Sequence, residues 1–206
     1  MIRAYTFSAA GGHAVNEDMF LVCEVPGGYV VGLADGQGGR AGGARAARLA
    51  CQVALEELMR GPEPDWAGAL ARADNAVAAD STAGFTTLVA LRATAGHVTG
   101  SSCGDSAAVV VCGDAAPQVL TSWQFKNPPV GSGEATFVPF ALELVAPWKL
   151  LIVSDGVWKY ATWERVWDST ARLSGEELLE ELRAAARLHA TGEFQDDFTV
   201  VLLEGE

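Results

Sequence analysis

Strand-like apolar segments follow one another in groups along this chain, and within a group the turns are too short to hold a crossover helix. Gly27-Gly28, for example, separates two such segments and is typical of a β-hairpin. Segments joined by short turns pair in antiparallel fashion. The predicted strands span residues 2–8, 19–25, 29–34, 86–93, 97–103, 107–112, 118–122, 135–144, 149–153 and 198–203.

Segments with helical periodicity lie between these groups of strands. Gly61-Pro62 ends the first predicted helix and Asp65 caps the second, while Ser174 and Glu177 form a capping box for the last. Because such helices must cover sheet faces, the sequence predicts an α+β fold, a four-layer α-β-β-α sandwich of two antiparallel sheets flanked by helices. The predicted helices span residues 44–58, 66–79, 162–169 and the segment after residue 174.

Length and charge narrow the class of protein. A chain of 206 residues can bury about 70% of its unfolded surface in one domain, so residues 1–206 are expected to form a single domain. The formal net charge of −12 disfavours a nucleic acid or an anionic membrane as partner, since binding to either needs a basic surface. No apolar run reaches the roughly 18 residues of a membrane span, and the N-terminus lacks the apolar core of a signal peptide.

A cytoplasmic location is therefore expected. The four cysteines include no C-x-x-C pair, and four reduced thiols are the expected state. A zinc site is disfavoured because the three histidines do not cluster with them.

Acidic residues fall at the ends of the predicted strands. Strand ends can converge on one rim of a sheet system, where carboxylates repel one another unless cations neutralise them. Oxygen ligands without matching His or Cys suit Mg²⁺ or Mn²⁺, and two such ions can hold a hydroxide for attack on phosphorus. The acidic positions are Glu17-Asp18, Asp35-Gly36, Asp105, Asp155-Gly156 and Asp196-Asp197.

Two other interpretations of these residues are open. A single Asp-Gly pair is most often only a turn, although the number of acidic strand ends makes that less favoured for the whole set. Residues 36–41 also fit the dinucleotide fingerprint G-x-G-x-x-A. Asp35 directly before the first glycine would repel a second anion, and the chain lacks β-α-β alternation, so a dinucleotide site is disfavoured.

Five ordered segments resemble the metal-dependent protein phosphatases, also called type 2C serine/threonine phosphatases (PPM). The resemblance spans nearly the whole chain and implies the family's sandwich of two antiparallel sheets with helices on both outer faces. The segments are NEDMF at 16–20, LADGQGG at 33–39, GFTT at 84–87, SCGDS at 102–106 with SDGVW at 154–158, and DDFTV at 196–200.

The resemblance also implies roles for particular residues. Two Mn²⁺ or Mg²⁺ ions would be bridged by Asp35, and the Gly36 carbonyl would bind one of them. Asp155 and Asp196 would complete the other site, so that Asp35, Asp155 and Asp196 are the implied catalytic residues. The remaining implied positions are Glu17 and Asp18, which act through water, Asp105 at a weaker third ion, and Thr86 and Thr87 beside the metal centre.

This chain departs from the family pattern at the expected phosphate site. His13 stands four residues before Glu17, where the family usually has an arginine, and histidine lacks the permanent charge and bidentate fork of that side chain. Arg40 is a candidate substitute cation. Asp197 replaces an asparagine and adds negative charge, and Gln37 follows the Asp-Gly pair where methionine is common. The family's flap, which helps to choose substrates, is reduced to residues 124–133.

The activity implied by the resemblance is hydrolysis of phosphoserine or phosphothreonine in proteins by a hydroxide between two ions. The expected partner is a phosphoprotein substrate, with a cognate serine/threonine kinase or its target as a further candidate. The alternative is a non-catalytic, phosphatase-like module that binds a phosphoprotein or a regulatory partner. His13 favours this alternative, whereas the complete set of carboxylates opposes it, because such a cluster without cations destabilises the fold.

Overall fold

The computed structural model describes residues 1–37, 42–61, 64–113 and 115–206. The described residues form ten strands and five helices. The strands are β1 (Ile2–Ala9), β2 (Asp18–Val25), β3 (Gly28–Asp35), β4 (Leu88–Thr94), β5 (His97–Cys103), β6 (Ala107–Cys112), β7 (Gln118–Val119), β8 (Val138–Glu143), β9 (Trp148–Val153) and β10 (Phe198–Gly205). The helices are α1 (Gly43–Leu58), α2 (Trp66–Ala79), α3 (Asp155–Ala161), α4 (Trp163–Arg172) and α5 (Gly175–Ala186).

The strands form two five-stranded sheets in which all paired strands are antiparallel. One sheet has the order β1-β10-β9-β6-β7, and the other has the order β2-β3-β4-β5-β8. Each sheet is built largely from consecutive strands, as the short turns between apolar segments predict. The last strand, β10, pairs with β1 at one edge of the first sheet.

Apolar side chains from both sheets meet in a central core. Leu33 and Leu91 from the second sheet lie in the same buried cluster as Ile152 and Val201 from the first. A second cluster joins α1 and α2 to the outer face of the β2–β8 sheet through small residues such as Ala50, which let a helix approach a sheet closely. A third cluster packs α3, α4 and α5 on the other outer face. The four-layer α-β-β-α sandwich predicted from the sequence is confirmed.

Three local predictions were wrong. Helix α3 begins at Asp155, directly after β9, where the sequence predicts the end of a strand and no helix. The helix is held by its tertiary contacts, since the ring of Trp158 stacks on that of Trp163 with centroids 5.6 Å apart. Ser174 is the N-cap residue of α5, but its side chain makes no capping hydrogen bond, so the capping box does not form. The predicted strands at 86–93, 118–122 and 135–144 are shorter than expected.

Candidate active site

The strand ends bring the acidic residues to one end of the sandwich. Asp18 and Asp35 are direct register partners across the β2–β3 hairpin. Asp155 follows β9 as the first residue of α3, and Asp105 lies in the turn between β5 and β6. Asp196 precedes β10, which pairs with β9. Residues from both sheets therefore meet at this end, although they are far apart in sequence.

A cavity of about 410 Å³ opens at this end of the sandwich. Its lining combines the predicted carboxylates with two lysines that sequence reasoning did not assign to the site. The lining residues are His13, Glu17, Asp35, Gly36, Gln37, Thr86, Thr87, Gly104, Asp105, Lys126, Pro129, Asp155, Lys159, Asp196 and Asp197. Asp18 lies behind this surface, next to Asp35 on the neighbouring strand.

Thr86 and Thr87 fix the backbone of Asp35 at the cavity wall. The Asp35 carbonyl oxygen accepts hydrogen bonds from the Thr86 hydroxyl, at 2.8 Å, and from the Thr87 backbone N–H, at 2.9 Å. The Asp35 N–H in turn donates to the Thr87 hydroxyl oxygen at 2.9 Å. Because both polar groups of the Asp35 backbone are satisfied, its position is set by the sheet and not by any bound group.

Glycines at two positions allow the acidic segments to come close together. A side chain at Gly156 would place its Cβ 2.0 Å from the carbonyl oxygen of Asp197, so only glycine lets α3 begin against the segment that carries Asp196 and Asp197. A Cβ at Gly36 would lie 2.5 Å from the carbonyl carbon of Gly43 at the start of α1. The two Asp-Gly pairs thus serve close backbone approach rather than turns.

Asp197 has a structural role that sequence reasoning missed. Its two carboxylate oxygens accept hydrogen bonds from the Gly11 N–H, at 2.9 Å, and from the Glu17 N–H, at 2.5 Å. The carboxylate therefore clamps both ends of the segment that carries His13. An asparagine could accept only one of these two bonds through its single oxygen, so aspartate is the better match for two N–H donors.

The carboxylate of Asp18 is buried. Neither of its carboxylate oxygens accepts a hydrogen bond of ordinary geometry. Burial, together with the negative charges of Asp197 and Asp155, raises the pKa of Asp18 to about 7, although the nearby hydroxyls of Thr199 and Ser154 act in the opposite direction. A buried, unpartnered carboxylate is destabilising unless a proton or a cation neutralises it.

Asp35 shows the same effect more strongly. Burial raises its pKa well above the ordinary value for aspartate, and the charges of Asp18, Asp155, Asp105 and Asp196 add to the shift. The charges that act on Asp35 are therefore those of the other implied ion-binding residues. A carboxylate surrounded in this way has a high affinity for cations, because binding one relieves several repulsions at once.

Two lysines neutralise part of the cavity's charge. Lys159 lies one helical turn after Asp155 on α3 and forms an ion pair with it. Lys126, in the loop after β7, forms an ion pair with Asp105. Burial raises the pKa of Asp155, and the hydrogen bond from Lys159 opposes that shift. Lys159 follows Asp155 at the i,i+4 spacing of a helical ion pair, but that spacing has meaning only in a helix, and the sequence predicts no helix at this position.

Of the two candidate phosphate-binding residues, His13 lies in the described part of the chain. His13 is exposed at the rim of the cavity, where its ring Nδ1 lies 3.3 Å from the Gly11 carbonyl oxygen. Its side chain is therefore within the lining surface but makes no contact with a carboxylate among the described residues. Arg40 lies outside the described residues.

The loop at residues 124–133 runs along the cavity and is fastened at several points. The Gln124 side-chain amide donates to the Ser106 carbonyl at 2.7 Å, and the Phe125 carbonyl accepts from the Gly104 N–H at 2.8 Å. The Asp74 carboxylate accepts from the N–H groups of Gly131, at 2.6 Å, and Gly133, at 3.2 Å. Lys126 and Pro129 from this loop contribute to the cavity lining.

The donor set of the cavity fits divalent ions that prefer oxygen. Across residues 1–37, 42–61, 64–113 and 115–206, no three His, Cys, Asp or Glu side chains converge closely enough to form a ready-made ion site. Lysine ammonium groups hold two of the carboxylates instead, and Asp18 is left orphaned. The cavity offers mainly carboxylate and backbone carbonyl oxygens, which are the ligands that hard divalent cations prefer, so the residues present fit Mg²⁺ or Mn²⁺.

Comparison with known proteins agrees with this arrangement. A family model described as stage II sporulation protein E (SpoIIE) matches residues 26–205. No curated protein has a significantly similar sequence. Among the described residues, no helix combines the length and the apolar character needed to cross a bilayer.

Solved structures share the fold at low sequence identity. A bacterial serine phosphatase is 18% identical with a TM-score of 0.83, and the match covers 100% of this chain and 99% of that one. RsbX in complex with magnesium is 14% identical with a TM-score of 0.79, covering 98% and 94%. The serine/threonine phosphatase PstP from Mycobacterium tuberculosis is 22% identical with a TM-score of 0.78, covering 100% and 99%.

Proposed function

Because this chain belongs to the stage II sporulation protein E (SpoIIE) family of PPM-type phosphatases, we propose that it hydrolyses phosphoserine or phosphothreonine in proteins at the acidic cavity, with Mg²⁺ or Mn²⁺ as cofactor. The observation that carries this proposal is the meeting of carboxylates from both sheets around Asp35, with Asp18 buried and unpartnered beside it. The mutual repulsion of these carboxylates is relieved when cations bind among them, which supports an ion-binding role for the cluster.

Each residue has a specific task in this proposal. Asp35, the Gly36 carbonyl, Asp155 and Asp196 would hold two ions. Asp105 would hold a third, and Glu17 and Asp18 would act through water. When bound, the ions would supply Lewis-acid activation of water and would offset the negative charge that develops on the phosphoryl group.

Other residues of the site hold the proposed catalytic residues in position. Thr86 and Thr87 hold the Asp35 backbone in place, so that the carboxylate does not have to reorganise during the reaction. Asp197 fixes the backbone of Glu17 and of the segment that carries His13. The leaving serine or threonine oxygen needs a proton, and the open cavity allows water to supply it.

A non-catalytic, phosphatase-like module is the second candidate. The ion pairs of Lys159 with Asp155 and of Lys126 with Asp105 favour it, because they occupy two carboxylates that catalysis would require for ions. Both lysines are partly exposed, with 38% and 60% of their side chains accessible, so both pairs are open to displacement. We therefore keep the phosphatase as the first candidate.

The experiment that separates the two candidates uses phosphopeptides and Mg²⁺ or Mn²⁺. The phosphatase releases inorganic phosphate from phosphoserine and phosphothreonine peptides, whereas the binding module retains the intact peptide without release. Release of phosphate at the rate of a protein-free control, together with saturable peptide binding, would favour the module.

The partner and the compartment follow as further proposals. A phosphoprotein is the substrate, and a serine/threonine kinase that modifies the same protein is the matching partner. The thiols of Cys23, Cys51, Cys103 and Cys112 are free, which suits a reducing compartment such as the cytoplasm. We propose that residues 1–206 work as a single domain.

The loop at 124–133 and the residue before it should influence the choice of protein substrate. Trp123 and Phe125 have 82% and 54% of their surface exposed beside the cavity, while the loop backbone is fastened. Replacing both with serine should raise the KM for a phosphoprotein severalfold, since exposed aromatic side chains on a fixed backbone are typical protein contacts. The KM for a small aryl phosphate should change less than twofold. Equal loss with both substrates would contradict this role.

A further inference from the structure

The cavity has too much negative charge to accept a phosphate group unaided. The described lining residues include six carboxylates and two ammonium groups, so the formal net charge is −4 when all are ionised. A phosphate dianion would be repelled by this field. Two divalent ions would bring the formal charge of the lining to zero, and the position of the two lysines then decides where an anion binds. The carboxylates are Glu17, Asp35, Asp105, Asp155, Asp196 and Asp197, and the ammonium groups belong to Lys126 and Lys159.

Lys159 is the more deeply placed of the two lysines. Its side chain is 38% accessible, against 60% for Lys126, and it projects from α3, whereas Lys126 lies on a loop. Its ammonium group pairs with Asp155 and lines the same cavity as Asp105 and Asp196, so it lies within the field of three carboxylates proposed to hold ions.

Asp155 has two competing uses. Its carboxylate is 11% accessible and pairs with Lys159. When a carboxylate binds a divalent ion, the charge of the ion offsets that of the carboxylate, so the carboxylate attracts a neighbouring ammonium group more weakly. The ion itself also repels the ammonium group. Once Asp155 holds an ion, Lys159 is left partly buried without an anionic partner. A phosphoryl oxygen is the anion that such a cavity offers in its place.

We propose that Lys159 is a phosphate-binding residue of this cavity, paired with Asp155 in the absence of divalent ions and with the phosphoryl oxygens of the substrate when Asp155 holds an ion. This inference rests on the proposed function for the identity of the ligand. Lys159 would then compete with the ion for Asp155 and would also bind the phosphoryl group of the substrate. His13 also lines the cavity but is exposed at its rim, whereas Lys159 is partly buried and pairs with a carboxylate inside it.

Two substitutions test the inference on binding alone. Lys159→Met keeps most of the length and apolar contact of the side chain but removes the charge, and Lys159→Arg keeps the charge. Calorimetry with Mg²⁺ alone, and then with inorganic phosphate at saturating Mg²⁺, measures both equilibria without any turnover. Lys159→Met should lower the Kd for Mg²⁺ at least about threefold, because the competing ammonium is gone. It should raise the Kd for phosphate about tenfold, the expected loss of one charge-assisted hydrogen bond.

The opposite signs of the two shifts distinguish this role from a structural one. A variant that merely loosens the cavity weakens both ligands, so parallel shifts, or an unchanged Kd for phosphate, would overturn the inference. Lys159→Arg should keep the Kd for phosphate within about threefold of the wild type. Arg172→Met is the matched control, because Arg172 pairs with Asp168 at the same i,i+4 spacing on α4 but does not line the cavity. It should change neither equilibrium.

The binding test of Lys159 can succeed or fail independently of the test of phosphatase activity. Opposite shifts in a protein that releases no phosphate from any phosphopeptide would support the Lys159 site and contradict the phosphatase activity. Phosphate release by the wild type, with no effect of Lys159→Met on the Kd for phosphate, would support the phosphatase and contradict the Lys159 site.

Discussion

Replacing Asp35 with asparagine should lower the rate of phosphoserine hydrolysis by about three orders of magnitude. Asp35 lies at the centre of the cluster, where the charges of Asp18, Asp105, Asp155 and Asp196 all act on its carboxylate. An amide cannot supply the charge that holds an ion between these groups. Lewis-acid stabilisation is worth several kcal/mol in a phosphoryl transfer, which corresponds to about a thousandfold in rate. The measurement is phosphate release at saturating Mn²⁺.

The loss must come from chemistry and not from unfolding. In chelator, Asp35→Asn should melt at or above the temperature of the wild type, because it removes a repulsive charge. Asp168→Asn is the control for a carboxylate outside the cavity, since Asp168 is exposed on α4 and pairs with Arg172. An Asp35→Asn variant that retained more than a tenth of the wild-type rate would contradict the assigned role of this residue.

Replacing Asp18 with asparagine should stabilise the protein in the absence of divalent ions. The carboxylate of Asp18 is buried and neither of its oxygens accepts a hydrogen bond of ordinary geometry, and its pKa in the folded protein is raised from the usual 3.8 to about 7. A neutral amide avoids the destabilisation of a buried charge. At pH 7.5 in chelator, we expect the melting temperature to rise by about 5 °C or more, from a free-energy gain on the order of a few kcal/mol.

The sign of the pH dependence follows from the direction of the pKa shift. Between about pH 4 and pH 7 the folded protein keeps a proton on Asp18 that the unfolded chain has lost, so stability falls as the pH rises through this range. The metal-free wild type should therefore melt at a lower temperature at pH 7 than at pH 5. Asp18→Asn should show a smaller decrease, and an equal decrease in both proteins would exclude Asp18 as its origin.

Asp74 provides a control of opposite sign. It is also buried, but its carboxylate accepts hydrogen bonds from the N–H groups of Gly131, Gly133 and Ala135. Asn in this position would turn an N–H donor toward one of these donors, so Asp74→Asn should lower the melting temperature at both pH values.

Excess Mn²⁺ should raise the melting temperature of the wild type more than that of Asp18→Asn, because an ion stabilises only the state that binds it.

The convergence of acidic strand ends was predictable from the sequence because hairpin register is local information. The turn after Val25 pairs residues at equal distances on either side of it, which places Asp18 opposite Asp35. The grouping of strand-like apolar segments and the shortness of the turns between them were enough to predict two antiparallel sheets. These features need no knowledge of contacts between distant segments.

The missed features all depend on such contacts. Helix α3 follows an Asp-Gly pair that resembles a turn, and its aromatic residues are held by stacking on α4. Without α3, the four-residue spacing of Lys159 from Asp155 had no structural meaning, so the ion pair was hidden as well. The sequence predicts only added negative charge at Asp197, but its bonds to Gly11 and Glu17 span 186 and 180 residues of sequence. Spacing along the chain gives no signal for a clamp of that kind.

Phosphate release from a phosphoserine protein, measured against the concentration of free Mn²⁺ in a chelator buffer, tests the function of the acidic cavity most directly. The rate should fall to that of a protein-free control when the chelator is in excess, and should be restored by added Mn²⁺ or Mg²⁺. At saturating Mn²⁺, the Asp35→Asn variant should reach only about a thousandth of the wild-type rate. Wild-type hydrolysis that continued undiminished in excess chelator would contradict the proposal that these carboxylates bind catalytic ions.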